Sequence, residues 1–340
     1  MLWEDQIMTN ENIKRRNIKD FLKMGWKKFN SIPGVAVLIP LIIICIILSL
    51  AKPQFLTIDN IFNVLRQASI YAIMAVGMTF VIIGGGIDLS QGSVLALAAI
   101  VVSFVLKNGE GNMYLAMLAG LLTGAGIGFI NGAAIAYLRI PPFIVTLGTM
   151  NIVRGIALII TDAKTASANY LPFRTIGQEY LLGIPVPIYI FTIIAFIGHF
   201  VLSQTSTGRY IYALGSNEEA ARLSGVKTVR NKIIIYTLSG LVVACAAIVY
   251  LSRLGAAQPT AGSGYELESI AATIIGGTSI SGGEGGMLGS VLGAILVAVI
   301  RNGLVILGVK TYWQWVVSGA IIILAVSIDV LRLGFSRRGK

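Results

Sequence analysis

Residues 61–83 read IFNVLRQASIYAIMAVGMTFVII, and residues 84–93 that follow read GGGIDLSQGS. At about 1.5 Å of rise per residue the first stretch is a helix long enough to cross a hydrocarbon core of roughly 30 Å. The second disfavours a continuous helix, because glycine costs about 1 kcal/mol in a helix interior relative to alanine. Backbone released from a helix at membrane depth needs polar partners or water. An apolar helix, a polar glycine-rich break and a resumed apolar run from Val94 together predict an all-α polytopic membrane protein. A second break of the same make, residues 276–286 (GGTSISGGEGG), precedes another apolar run.

Composition agrees. The 340 residues are 56% hydrophobic and 12% charged, against roughly 45–50% and 25% for soluble chains, and the mean hydropathy is +0.83. So few charges cannot clothe a soluble surface. Apolar runs at 34–51, 61–83, 91–106, 113–138, 143–160, 187–203, 232–251, 267–281, 287–307 and 312–331 predict about ten spans. They divide the chain into a basic leader (1–33), a transmembrane domain (34–331) with a polar loop at 204–231, and a basic tail (332–340). The net charge of +11 would suggest nucleic acid in a soluble protein, but its distribution is topological. With the N-terminus inside, seventeen Lys and Arg fall in inside segments and six outside, which places both ends in the cytoplasm. Ser49-Leu50-Ala51 resembles a cleavage site, yet the run before it exceeds the core of a signal peptide, so a retained helix is expected. Basic residues interleaved with Phe21, Leu22, Met24 and Trp26 suit either an amphipathic helix on the membrane surface or an irregular tail. Cys45 and Cys245 lie in apolar runs and act as small hydrophobes, so no metal site is expected.

The sequence has no G-x-x-x-x-G-K-[ST] phosphate loop, so it cannot hydrolyse ATP by that route. It shows no paired carboxylates in the spans of the kind ion-coupled carriers use. One histidine, His199, and no hydrolase motif leave no catalytic residues to name. Glycines at four-residue spacing, Gly120, Gly124, Gly128 and Gly132, and again Gly285, Gly289 and Gly293, place bare backbone on one helix face. Packing within the subunit is the simpler use, a subunit interface the other. In the breaks, Asp88, Ser90, Ser93, Thr278, Ser279 and Glu284 are candidates for the translocation pathway and its gating, while Asp88 and the hydroxyls serve equally as caps of the helices that follow. In the loop at 204–231, Asn217 is an N-cap, Glu218 and Glu219 fill the first turn, Ala220, Ala221 and Leu223 fill a short helix, and Gly225 stops it. Such a helix is a surface feature or a handle for a soluble partner.

Five ordered motifs then coincide: Gly77-Met78-Thr79 through Gly92-Ser93, Pro142 to Met150, Gly215 to Gly225, Gln258 to Leu267, and Gly276 through Gly308. Together they resemble the membrane permeases of bacterial ABC importers for ribose and related sugars, of the ribose, branched-chain amino acid and vitamin B12-like type. The likeness spans about residues 53–331, and Gly208 to Gly215 with Gln258 to Leu267 are most similar to the ribose permeases. It implies a paired, often homodimeric permease in the bacterial inner membrane. That permease receives a monosaccharide from an extracytoplasmic binding protein and is driven by a separate ATPase that uses ATP and Mg. No cofactor is implied for this chain. The resemblance further implies that Gly215, Asn217, Glu218, Ala221, Arg222, Ser224 and Gly225 form the helix that couples to that ATPase. An ATP-independent carrier or channel is the competing expectation, and a membrane-embedded enzyme a third that lacks any nucleophile–base pair.

Overall fold

The computed structural model describes residues 37–108, 112–168 and 170–338. The leader, with its two expected forms, lies outside the described residues. Among the described residues there are thirteen α-helices: α1 (Leu38–Ala51), α2 (Ile58–Ile83), α3 (Gln91–Asn108), α4 (Met113–Leu138), α5 (Pro142–Thr161), α6 (Leu171–Gln178), α7 (Val186–Gln204), α8 (Ser206–Ser216), α9 (Glu218–Leu223), α10 (Thr228–Leu254), α11 (Tyr265–Ile275), α12 (Met287–Ile306) and α13 (Thr311–Arg338). Helices α2, α4, α5, α7, α10 and α12 are long and apolar enough to cross a membrane, and α1, α3 and α13 carry shorter apolar stretches. The sequence sets their ends locally. Thr57 caps α2 and Asn112 caps α4 by accepting backbone N–H groups, prolines occupy the first turns of α5 and α7, and Gly255 at φ 71° ends α10.

Helix α2 is buried on every side from Ala68 to Ile83, which makes it the axis of the bundle. Helices α4, α5 and α7 instead leave Leu122, Phe129, Ile152, Ile159, Ile193 and Phe196 exposed, the apolar exterior of a helix that faces lipid. The most extensive helix pair is α4 with α10, and glycine permits it. A Cβ on Gly124 would overlap the Gly240 carbonyl, one on Gly128 the Tyr236 carbonyl, and one on Gly132 the Ile233 backbone, while Gly120 meets Val102 of α3. The stripe therefore packs helices within this chain. Gly293 similarly abuts the Ala272 carbonyl, and Gly289 abuts Gly276, which seats α12 on α11. Gly285 departs from the expected helix face: it precedes α12, at φ 143°, against the Thr278 side chain.

The run 267–281, expected as a span, is a helix of 11 residues, about 16 Å long and half the hydrocarbon thickness. Its first turn sits deep in the bundle because residues 258–264 dip inward to meet α3. A Cβ on Gly262 would lie 2.7 Å from the Gly92 carbonyl, and Gly262 (φ 68°) and Gly264 (φ 84°) are left-handed, which favours glycine. Arg154 of α5 pins this dip by donating to the carbonyls of Pro259 and Ala261, both at 2.7 Å. Two-residue ribbons, Ala166–Ser167 with Ala256–Ala257 and Tyr180–Leu181 with Ile184–Pro185, and helix α6 gather at the end opposite α9. The terminal helix runs on to Arg338, through most of the segment expected as a tail.

Candidate functional site

At one end of the bundle α8 and α9 join α7 to α10. The sequence predicts only the second of these, because the glycines and polar residues of 206–216 mask a helix that Thr205 caps at the Gly208 N–H (3.2 Å). Asn217 caps α9, its side chain accepting from Ala220 N–H at 2.9 Å. The stop is equally local: Gly225 N–H reaches the Arg222 carbonyl, Val226 N–H the Ala221 carbonyl, and Gly225 is left-handed at φ 84°. Ion pairs of 2.6 Å join Glu219 to Arg222 within the turn and Glu218 to Lys232 of α10. The hydrogen bond from Arg222, then its charge, hold the Glu219 carboxyl below its usual range, and the same contacts raise Arg222. Ala221, expected to face a partner, is 5% exposed and turns into the bundle. The outward face carries Glu219, Ala220, Arg222, Ser224 and Leu223, the last 76% exposed. A cavity of about 830 Å³ separates α9 from the α4–α5 connection, lined by Arg139, Pro142, Glu218, Glu219, Arg222 and Lys232 among others.

Inside the bundle the first break nucleates a buried polar seam. Asp88, 2% exposed, accepts from the Ser90 N–H at 3.0 Å, from the Ser90 hydroxyl, and from the Ser239 hydroxyl of α10 at 3.0 Å. Gln91 Nε2 donates to Ser239 (3.1 Å), and Ser269 of α11 donates to Gln91 Oε1 (2.8 Å). On the other side Asn131 Nδ2 of α4 donates to Ser90 (3.0 Å), and Thr149 of α5 donates to Asn131 Oδ1 (2.6 Å). Asp88 thus does more than cap α3: its carboxylate ties that cap to α10, and Ser90, Asn131 and Gln91 carry the network on to α4, α5 and α11. Ser93 donates to the Ser90 carbonyl at 2.8 Å, a local cap contact. In the second break Thr278 lies 3.5 Å from Ser290, which accepts from Thr79 at 2.7 Å. Ser279 and the Ile280 N–H donate to Asp329 of α13 at 3.3 and 3.1 Å. Glu284 is exposed and holds the second break only through its backbone, its carbonyl accepting from the Ser279 N–H at 3.1 Å.

The apolar runs nonetheless hold buried carboxylates that the sequence did not single out, and among the described residues no two of them bond each other. Glu268 of α11, 7% exposed, pairs with Arg301 of α12 at 3.3 Å and accepts from Ser318 of α13 at 2.8 Å. Arg301 also donates to the Tyr71 hydroxyl at 2.7 Å, and the Tyr71 and Tyr265 rings meet edge to face at 5.0 Å. Glu266 is buried too, with Oε1 accepting from Gly264 N–H and Oε2 lacking a partner. Glu268 and Arg301 lie far apart in sequence and in different helices. The local signal was the bare presence of each charge in an apolar run.

The chain resembles known proteins along most of its length. A family described as the permease component of branched-chain amino acid transport systems matches residues 60–326. The ribose import permease protein RbsC of Escherichia coli strain K12 is 44% identical over 296 residues, 86% of this chain and 92% of that protein. RbsC of Bacillus subtilis strain 168 is 44% identical over 291 residues, 85% and 90% of the two chains. The D-allose transport system permease protein AlsC of Escherichia coli K12 is 40% identical over 290 residues, 85% and 89%. No solved structure matches the chain. With the match covering the seam, both breaks and α9, the chain belongs to the branched-chain amino acid transport system permease family.

Proposed function

We propose that this chain is the pore-forming permease of an ATP-driven importer that passes a monosaccharide, ribose before others, across the bacterial inner membrane. The observation that carries this reading is the 44% identity to ribose import permeases over nearly the whole bundle, in a chain with no phosphate-binding loop of its own. Its parts suit that work. Helix α9, capped at Asn217, stopped at Gly225 and tied to α10 through Glu218 and Lys232, is a rigid handle for an ATPase that carries ATP and Mg. Leu223 is its apolar contact. The charge bias of the connecting segments supports a cytoplasmic position for α9 and for both termini. A second copy of the chain completes the pore, and an extracytoplasmic binding protein delivers the sugar.

Transport then proceeds by alternating access: closure of the ATPase pair moves α9, the helices around the two breaks rock, and hydrolysis resets them. The polar groups deep in the bundle mostly satisfy one another, which leaves little for tight sugar binding. Selectivity accordingly rests with the binding protein, and weak contact in the pore speeds release. Proteoliposomes holding the complete importer, offered a panel of radiolabelled pentoses and hexoses, should accumulate ribose first. Preferred uptake of an amino acid instead would overturn the sugar assignment.

A further inference from the structure

Three segments far apart in sequence meet at the α9 end of the bundle, and they meet through bare backbone. The Gly283 N–H of the second break donates to the Ile83 carbonyl at the mouth of the first, at 2.9 Å. Gly215, in the last turn of α8 and two residues before the cap of α9, lies against both. A Cβ there would overlap the Ile83 carbonyl and come within 2.7 Å of Gly283 N. A Cβ on Gly282 would sit 2.9 Å from the Gly215 carbonyl and 3.0 Å from the Gly85 Cα. Gly85, Gly282 and Gly283 are left-handed, at φ 82°, 82° and 73°, so the close approach and the chain direction both favour glycine. One side chain reinforces the contact: the Tyr212 hydroxyl of α8 donates to the Gly285 carbonyl at 2.8 Å. Beside the knot a cavity of about 350 Å³ is lined by Gly84, Gly85, Gly86, Gly215, Ser216 and Tyr236, with others. The Tyr236 hydroxyl, buried against Gly86, has no hydrogen-bond partner.

We propose that this knot, with Gly215 and Tyr212 as its positioning residues, is the contact through which α9 works both breaks at once. The proposal rests on the ATP-driven reading above. Backbone packed on backbone has no side chain to yield, so a displacement of α9 passes undamped to Ile83, which ends α2, and to Gly283, which leads into α12. The two breaks flank the inner half of α2, and the bond from Gly283 to Ile83, with Gly282 lying against Gly85, makes them move as one.

The test uses the whole importer in proteoliposomes and reads ATP hydrolysed per sugar delivered, a ratio that loss of folded protein alone leaves unchanged. Tyr212→Phe removes one hydrogen bond and keeps the ring, so the ratio should rise about fivefold, the equilibrium factor of one neutral hydrogen bond. Gly215→Ala should raise it further while the ATPase stays bound, and Gly126→Ala, whose added methyl meets nothing within 4 Å, should leave it unchanged. If Gly215→Ala fails to fold, Tyr212→Phe decides. A ratio for Tyr212→Phe equal to that of the unmodified importer would overturn the proposal. Failure of the ATP-driven reading looks different, because the unmodified chain would then bind no ATPase at all.

Discussion

Replacing Leu223 by alanine tests where α9 meets its partner. Burying a leucine side chain is worth about 1.5–3 kcal/mol. Leu223 is 76% exposed, so docking that covers it gains about three-quarters of that, roughly 1–2 kcal/mol, or about 5- to 30-fold in Kd. The helix itself should survive Leu223→Ala, because alanine is the best helix former and the cap at Asn217, the stop at Gly225 and the Glu218–Lys232 pair are untouched. The permease in nanodiscs would be titrated with the purified ATPase and bound fraction measured, with sugar-stimulated ATP turnover in parallel. Ala221→Trp is the instructive contrast. Ala221 is buried, so the larger ring should disturb the seating of α9 on the bundle and lower the thermal stability of the free permease, an effect absent from Leu223→Ala. An affinity for Leu223→Ala within about twofold of the unmodified protein, below the expected range, would refute the assignment of the docking face.

Three further outcomes follow from the geometry. Glu268→Met strands Arg301 in the bundle and should cost about 3–5 kcal/mol, whereas the double replacement with Arg301→Met should recover most of it; thermal unfolding in detergent checks both. Gly128→Leu drives a side chain into the Tyr236 carbonyl and should lose at least about 1–3 kcal/mol as overpacking does, measured as folded yield and melting temperature. The lowered Glu219 pKa means that its ion pair contributes above the ordinary carboxylate range and is lost only as pH falls through the folded value. ATPase binding measured against pH should therefore be flat from roughly pH 6 to 8, and a fall within that window would contradict the pairing.

Much of this arrangement is legible in the sequence, where the cause is local. Asn217 and Gly225 mark α9 because a cap and a stop act within one turn, and the glycine spacing in α4 marks a close-packed face because every fourth residue shares it. The half-length α11 is not legible. Its apolar run reads on past Ile275, and nothing local reveals that Gly262 and Arg154 draw its start into the bundle. The six residues of α9 are too few for periodicity to separate the inward Ala221 from the outward Leu223. Thr149 meets Asn131, Ser269 meets Gln91 and Glu268 meets Arg301 only through the tertiary fold, so the seam that organises the bundle leaves no pattern along the chain. The knot at Gly215 is hidden for the same reason, since its three glycine segments look separately like turns.

The most direct test of the central claim is sugar uptake into proteoliposomes holding this chain with and without its ATPase. Radiolabelled ribose should enter only when the ATPase, ATP and Mg and the loaded binding protein are all present, and an imposed proton or sodium gradient should change nothing. Uptake by the chain alone, rising with an ion gradient, would contradict the account.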